Sequence, residues 1–213
     1  MQRGIRAAIP NAITMLRLVV AAGFFVALAT GLGDEQSILR WGNAAVWMFV
    51  FAAITDVVDG YLARRWKVVS TFGRVMDPVV DKVLVLGAFI FLAAPPFEAA
   101  GPARLVSGLS PWMVVVILSR ELLVTSVRGV LESEGIAFGA DRWGKIKMLV
   151  QCVTVPLVLL VAVNQLDASS AFWRTWRDSM VWITVVVTIL SAVPYAVRGQ
   201  RLLATIERKA DRE

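Results

Sequence analysis

The stretch from Asp56 to Lys82 reads DVVDGYLARRWKVVSTFGRVMDPVVDK and contains four aspartates. Asp56 and Asp59 are three residues apart, and Asp77 and Asp81 are four residues apart, so each pair lies on one face of a helix. An apolar run long enough to cross a bilayer lies on each side of this stretch. Carboxylates at the ends of membrane helices are costly to keep there, so their presence indicates a functional site.

The composition is typical of a helical membrane protein. Of the 213 residues, 58% are hydrophobic and 18% are charged, whereas soluble domains are about 45–50% apolar and about a quarter charged. The apolar runs are continuous rather than alternating, which favours helices over strands. We therefore expect an all-α polytopic membrane protein that forms a single domain over residues 1–213.

The apolar runs predict six transmembrane helices of about 20 residues each. Their expected bounds are 13–32, 41–62, 78–94, 112–131, 143–163 and 180–197. Asp77 and Pro78 have the pattern of a helix start, with an aspartate N-cap and proline at the first helical position. Residues 65–73, 95–111 and 164–179 are predicted to be connections. A cleaved signal peptide is the alternative for the first run, although Arg17 interrupts its apolar core.

The basic residues predict the topology. Fifteen of the 22 lie at the two termini or around the connections after the second and fourth helices, and only Arg40, Arg104, Arg174 and Arg177 lie in the other three connections. This distribution places both termini in the cytoplasm and the aspartates at the cytoplasmic face of the inner membrane. The net charge of +6 then reflects contact with anionic lipid headgroups, and no nucleic-acid partner is expected.

The residue types in the chain restrict the chemistry of the aspartate stretch. The chain has no histidine and only one cysteine, Cys152, which excludes histidine-based proton transfer, histidine-ligated zinc and an intrachain disulfide. Four carboxylates in a low dielectric repel one another unless cations separate them. Oxygen ligands suit Mg²⁺ or Mn²⁺, and two such ions are a recurrent device of phosphoryl chemistry.

The neighbours of the aspartates fit such a site. Asp81, deeper in its helix, is a candidate general base for a substrate hydroxyl. Gly60 and Ala63 are small enough for a ligand to approach the helix, Arg64 could pair with a phosphate, and Gly73 would ease a turn. The simpler interpretation is that the aspartates are helix-end charges paired with Arg64, Arg65 and Lys82, but it does not account for the whole pattern.

The pattern D-x2-D-G-x2-A-R-x8-G-x3-D-x3-D is met without departure and resembles the signature of the CDP-alcohol phosphatidyltransferase family. The eight fixed positions are Asp56, Asp59, Gly60, Ala63, Arg64, Gly73, Asp77 and Asp81. The resemblance implies that Asp56, Asp59 and Asp77 hold one metal ion and that Asp56, Asp77 and Asp81 hold a second. Asp81 would then deprotonate the acceptor alcohol, whose oxygen attacks the lipid-bearing phosphorus of CDP-diacylglycerol and releases CMP.

The same resemblance implies further binding residues and a quaternary structure. Gly60, Ala63, Arg64 and Ser70 would contact the nucleotide, and Gly73 would also belong to the CDP-diacylglycerol site. The N-terminal segment IPNAITMLR resembles the opening helix of the family, so Asn11, Thr14 and Arg17 are expected to face the same pocket. The family also implies a homodimer formed through membrane helices.

The acceptor alcohol is predicted from a second group of charged residues. Arg120, Arg128, Lys145 and Lys147 lie near the cytoplasmic ends of the fourth and fifth helices. They could be topological anchors alone, but Arg120 is deep enough to need a partner, either Glu121 or an anionic substrate. Together they would suit an acceptor that carries its own phosphate.

The run SRELLVTSVRGVLESEG, followed by WGKIKMLVQ, resembles the phosphatidylglycerophosphate synthase branch, which uses sn-glycerol 3-phosphate. Cardiolipin synthesis from phosphatidylglycerol and transfer to an inositol phosphate are the alternatives within the family. A metal-ion transporter is the alternative from another class, but it predicts polar residues throughout the membrane, and Asn43 is the one strongly polar side chain in the apolar halves of the second and third helices. A purely structural scaffold leaves the aspartates unexplained.

Overall fold

The computed structural model covers residues 2–31, 35–66, 71–94, 97, 106–133 and 142–210, with side chains described except at 2–11, 35, 59, 61–64, 66, 71–78, 132, 142, 198 and 201–210. These residues form seven helices and no strand, which confirms the all-α class. The helices are α1 (Gln2–Thr30), α2 (Glu35–Trp66), α3 (Thr71–Leu92), α4 (Pro111–Ser133), α5 (Arg142–Val163), α6 (Leu166–Ser169) and α7 (Ala171–Ala210).

Four helices of the described part are long and apolar enough to cross a bilayer. The spans are Ala12–Thr30, Gln36–Val58, Trp143–Val163 and Ala171–Val197. Large apolar side chains such as Val19, Trp47 and Leu149 are 66–70% exposed on the outside of the bundle, as expected for a surface that faces lipid. The chain is therefore a membrane protein, while the count of six spans stays a prediction.

Several predicted boundaries are wrong. Helices α1 and α2 begin at Gln2 and Glu35 rather than at residues 13 and 41. The third helix begins at Thr71 rather than at Pro78, so Gly73 is helical and does not form a turn. A proline removes only one backbone hydrogen bond, and a helix can continue through it when packing supports both sides. The connection expected at 164–179 instead contains α6 and the first residues of α7. Helix α7 then continues without a break through Pro194 to Ala210.

Helices α1, α2 and α3 pack together around aromatic side chains. Phe24, Phe49 and Phe89 come from these three helices, and each is at most 1% exposed. The Phe24 ring lies 5.7 Å from that of Phe49 and 5.1 Å from that of Phe25, within the range of favourable aromatic pairs. This core holds together the three helices that carry Arg17, Asp56 and Asp81.

Helix α5 joins this group to α7, because it contacts both α2 and α7. Gly42 allows α2 to approach α5 closely, since a Cβ atom there would lie 2.5 Å from Val163 Cγ2. Beside it, the side-chain amides of Asn43 and Asn164 donate to each other's oxygens at 3.1 and 3.0 Å. Both amides thereby satisfy their polar atoms at a helix contact in the membrane.

The end of the bundle opposite to Asp56 contains a separate ion pair. Arg177 of α7 is 4% exposed and donates to Asp167 Oδ2 at 2.7 Å and to the Val106 carbonyl at 2.9 Å. It also contacts Asp178 Oδ1 at 2.9 Å. These contacts tie α6 and the segment before α4 to the start of α7.

Candidate active site

Side chains from three helices meet at the aspartate end of the bundle. Arg17 of α1 donates through Nη1 to Asp56 Oδ1 of α2 at 2.6 Å and to Asp81 Oδ1 of α3 at 2.8 Å. Arg17 is 1% exposed, while the two carboxylates keep 22% and 24% of their side-chain surface. The structure therefore brings Asp56 and Asp81 together, as the spacing on consecutive helices predicts.

The remaining predicted residues of this site are only partly described. Gly60 lies on α2, one turn beyond Asp56, and is half-buried. Thr14 lies on α1 one turn before Arg17 and is 3% exposed. The other predicted residues lie outside the described part of the structure. They are the side chains of Asn11, Asp59, Ala63, Arg64, Gly73 and Asp77, and the whole of Ser70. Their predicted roles stay predictions.

The arrangement of Asp56 and Asp81 suits a divalent cation. Both Oδ1 atoms already lie within 2.8 Å of one positively charged nitrogen, and oxygen is the ligand atom that Mg²⁺ and Mn²⁺ prefer. Among the described side chains no group of three histidine, cysteine, aspartate or glutamate residues converges. Asp59 and Asp77, the other two predicted ligands, are not among those side chains.

A cavity of about 560 Å³ opens beside these carboxylates, between α2, α3 and α5. Its polar lining residues are Asp56, Asp81, Lys145 and Cys152, and the rest of its wall is apolar. Val57 lines it and is 69% exposed, so the cavity reaches the lipid-facing side of the bundle. Such a cavity fits an amphiphile whose charged part lies at the carboxylates and whose apolar part lies towards the lipid.

A second polar cluster lies between α4, α5 and α7, and Glu121 is at its centre. One oxygen of Glu121, Oε1, accepts from Lys147 Nζ at 2.5 Å and from Arg120 Nη1 at 3.2 Å. Arg120 also donates to Ser191 Oγ at 2.9 Å and lies 5.4 Å from the centre of the Tyr195 ring. Arg120, Glu121 and Lys147 are each 7–8% exposed. Glu121 is therefore the anionic partner that a buried arginine at this position requires.

The four cations predicted to bind the acceptor are divided between three places. Lys145 lines the aspartate cavity, whereas Arg120 and Lys147 contact Glu121. Arg128 lies two turns beyond Arg120 on α4 and is exposed. Lys145 and Lys147 separate because residues two apart on a helix do not face the same side.

Sequence reasoning missed two parts of these clusters. Arg17 was expected to face substrate, and its contact with the aspartates was not foreseen, although a buried cation in an apolar run requires an anion nearby. The contribution of α7 was also missed. Thr184, Thr188, Ser191 and Tyr195 recur at spacings of four, three and four residues, which places them on one face of α7, and all four are buried.

Comparison with known proteins identifies the class of enzyme. The model of the CDP-alcohol phosphatidyltransferase family matches residues 7–190 of the chain. The match includes Arg17, Asp56 and Asp81 as well as the second cluster up to Lys147. The chain belongs to the CDP-alcohol phosphatidyltransferase family, whose members are enzymes that generally use a divalent metal ion.

Individual relatives carry more specific names. A CDP-diacylglycerol–glycerol-3-phosphate 3-phosphatidyltransferase of Bacillus subtilis is 35% identical over 92% of this chain and 97% of its own length. An enzyme of the same name from Cereibacter sphaeroides is 31% identical over 80% of this chain and 72% of its own length. A probable phosphatidylglycerophosphate synthase of Mycobacterium tuberculosis is 30% identical over 94% of this chain and 85% of its own length.

Proposed function

We propose that this enzyme transfers the phosphatidyl group of CDP-diacylglycerol to sn-glycerol 3-phosphate, giving phosphatidylglycerophosphate and CMP. The observation that carries the proposal is the convergence of Asp56 and Asp81 on one cationic nitrogen, beside a cavity with apolar walls. The carboxylates suit the charged diphosphate with its metal ions, and the apolar walls suit acyl chains. The names of the relatives support glycerol 3-phosphate as the acceptor.

The metal ligands in this proposal are the four aspartates. Asp56, Asp59 and Asp77 would hold one Mg²⁺ or Mn²⁺ ion, and Asp56, Asp77 and Asp81 would hold a second. When bound, the ions neutralise charge on the diphosphate and make the phosphorus more electrophilic. The nucleotide and the diphosphate are surrounded by eight residues from α1, α2, α3 and the segment before α3. These are Asn11, Thr14, Arg17, Gly60, Ala63, Arg64, Ser70 and Gly73.

Asp81 is the general base of the reaction. It accepts the proton of the acceptor hydroxyl, and the acceptor oxygen forms a new bond to the phosphorus that bears diacylglycerol. The bond between this phosphorus and the CMP oxygen breaks, and CMP leaves with the electron pair. Asp81 then gives up its proton to solvent or to the departing phosphate, which returns the site to its starting charge.

The basic residues hold the phosphate of the acceptor in this scheme. Lys145 contributes from the cavity wall, and Arg120 and Lys147 contribute from the cluster around Glu121. Arg128 attracts the anion from its exposed position on α4. To reach the phosphate, Arg120 exchanges its hydrogen bond to Glu121 for one to the phosphate and keeps its two hydrogen bonds to Ser191.

The proposal also includes the placement of the enzyme in the cell. The chain crosses the inner membrane six times with both termini in the cytoplasm, so the aspartates lie at the cytoplasmic face, where the water-soluble acceptor and CMP are found. We further propose a homodimer formed through membrane helices. Light scattering of the purified protein in detergent tests the dimer, and labelling of cysteines introduced at the two termini in intact cells tests the topology.

The activity is tested with purified protein in detergent, labelled CDP-diacylglycerol, Mg²⁺ and a panel of acceptors. We expect CMP release with sn-glycerol 3-phosphate and none with phosphatidylglycerol or an inositol phosphate. Release only with one of the other acceptors would refute the assigned acceptor. Metal uptake into vesicles without CMP release would favour a transporter instead.

The catalytic role of Asp81 is tested by Asp81→Asn, which keeps the shape of the side chain and removes the base. We expect loss of turnover of about a hundredfold or more, in line with the contribution of general base catalysis. Asp167→Asn is the matched control, because Asp167 is a buried ion-paired aspartate at the opposite end of the bundle. Near-full activity of Asp81→Asn would refute the assignment of the base.

A further inference from the structure

We propose that Lys82 determines the specificity of the transfer reaction. Its ammonium group binds the phosphate of the acceptor, and the site thereby selects an alcohol that carries a phosphate monoester. This inference rests on the proposed function and adds to it a residue from α3, the helix that carries Asp81. The cations assigned to the acceptor in the proposed function all come from α4 and α5.

Lys82 follows Asp81 in α3 and reaches across to α4. Its Nζ atom donates to Thr125 Oγ1 at 2.5 Å, and that hydroxyl donates to the Glu121 carbonyl, one turn earlier in α4, at 2.7 Å. Successive residues of a helix point in different directions, so Asp81 faces Arg17 of α1 while Lys82 faces the second cluster. The side chain of Lys82 therefore extends from the proposed base towards the residues around Glu121.

Lys82 is a cation whose described partner is neutral. The side chain is half-buried, and the hydroxyl of Thr125 is the hydrogen-bond partner that the described residues supply. No carboxylate among the described side chains lies within ion-pair distance of it. An ammonium group has three donors, so two remain for a ligand. A charge near the end of a membrane helix favours such an anionic partner.

The charges around Lys82 fit a ligand with about two negative charges. Among the described side chains of this cluster, three cations surround one carboxylate, and they are Lys82, Arg120 and Lys147 beside Glu121. The charges of Lys82 and Arg120 repel Lys147, so this positive excess favours a bound anion. A phosphate monoester carries about 1.5 to 2 negative charges at neutral pH, whereas the phosphodiester of phosphatidylglycerol carries a single charge.

The two ends of the acceptor match the two ends of this arrangement. In sn-glycerol 3-phosphate the reacting hydroxyl and the phosphate lie at opposite ends of a three-carbon chain. With the hydroxyl at Asp81, the phosphate lies within reach of a side chain that begins at the next residue. An acceptor without this phosphate leaves the positive excess uncompensated, so the site discriminates against it.

Steady-state kinetics of CMP release in detergent test the role of Lys82. Lys82→Met keeps the approximate length of the side chain and removes its charge. We expect the KM for sn-glycerol 3-phosphate to rise about tenfold, the lower range for a hydrogen bond between charged groups. The kcat at saturating acceptor and the KM for CDP-diacylglycerol should stay unchanged, because uniform binding of the acceptor alone is lost.

Two further variants separate phosphate binding from a structural role. Thr125→Val removes the hydroxyl that ties Lys82 to α4 and leaves the ammonium group in place, so the KM for sn-glycerol 3-phosphate should not change. Lys82→Arg retains a cation with a different geometry, so its KM should lie between those of the wild type and Lys82→Met. A rise in Thr125→Val equal to that in Lys82→Met overturns the inference, as does a Lys82→Arg variant no better than Lys82→Met.

The outcomes distinguish this inference from the proposed function. An unchanged KM in Lys82→Met overturns the inference, while use of sn-glycerol 3-phosphate by the wild type still supports the proposed function. CMP release by the wild type only with an inositol phosphate refutes the proposed acceptor, and the KM of Lys82→Met for that phosphate then decides the role of Lys82. A wild type that uses only phosphatidylglycerol, or no acceptor at all, overturns both.

A measurement on the wild type decides the question if Lys82→Met does not fold. The protein in detergent is acetylated with acetic anhydride, with and without sn-glycerol 3-phosphate, and the modification of Lys82 is followed by mass spectrometry. Bound acceptor should slow the acetylation of Lys82, because the ammonium group is then covered by the phosphate. Equal rates of acetylation at a saturating acceptor concentration overturn the inference.

Discussion

Replacement of Glu121 by glutamine gives a direct test of the second polar cluster. The substitution keeps the shape of the side chain and removes the negative charge that Lys147 and Arg120 share at 2.5 and 3.2 Å. Arg120 retains its contacts with Ser191 and with the ring of Tyr195. Lys147 loses its charged partner at a position that is 8% exposed.

The expected loss of stability follows from this burial. Removing one member of a buried ion pair costs about 3–5 kcal/mol, because the remaining charge is left in a low dielectric. The lower end applies here, since Arg120 keeps other partners, so we expect a loss of about 3 kcal/mol. For a chain of this size, each kcal/mol lowers the melting temperature by about 2–4 °C, which predicts a decrease of about 6–12 °C.

Thermal melts in detergent, followed by tryptophan fluorescence, measure this decrease. Asp178→Asn is the control, because the side chain of Asp178 is 46% exposed and an exposed pair contributes at most about 1 kcal/mol. The double variant Glu121→Leu/Lys147→Met removes both charges and should recover most of the lost stability. A melting temperature of Glu121→Gln within about 4 °C of the wild type would refute the central role of Glu121.

Three further substitutions or modifications test other contacts. Gly42→Ala places a Cβ atom 2.5 Å from Val163 Cγ2, so overpacking should cost about 1–3 kcal/mol in thermal melts. At Gly129 an added Cβ atom has no neighbour within 4 Å among the described residues, so Gly129→Ala should be neutral or stabilising. Equal losses of stability in Gly42→Ala and Gly129→Ala would contradict the close contact between Gly42 and Val163. Cys152 lines the cavity, so its alkylation should abolish CMP release. Bound CDP-diacylglycerol should slow the alkylation. Cys152→Ser should resist inactivation, and fully labelled protein that stays active would exclude Cys152 from the substrate path. Arg128→Gln should raise the KM for glycerol 3-phosphate by up to about fivefold at an unchanged melting temperature, because an exposed charge contributes at most about 1 kcal/mol. An unchanged KM would make Arg128 a topological anchor only.

The class of the protein could be predicted because it depends on composition and local spacing. Continuous apolar runs define helices in a membrane, and the offsets of Asp56 and Asp81 place them on consecutive helices whose ends meet. The start of α3 could not be predicted in the same way. Pro78 has the local pattern of a first helical residue, and only tertiary packing decides whether the helix continues before it.

The division of the basic cluster could have been predicted more fully than it was. Lys145 and Lys147 are two residues apart, so helix geometry alone excludes a common direction. The partners of Arg17 and Lys147 could not be predicted from helix geometry, because they depend on which helices are neighbours. Helix α1 packs against α2 and α3, and α5 packs against α7 and reaches Glu121 of α4 through the side chain of Lys147. Long-range packing decides these neighbours.

The side opening of the cavity has a consequence for how the enzyme meets its lipid. Ile54 and Val57 line the cavity and are 57% and 69% exposed, so the wall is continuous with the outer surface of α2. For the proposed substrate, a diacylglycerol chain pair can then slide in from the surrounding leaflet without leaving hydrocarbon at any stage. The encounter is a two-dimensional search, and the rate should follow the mole fraction of lipid in the micelle or bilayer rather than its bulk concentration.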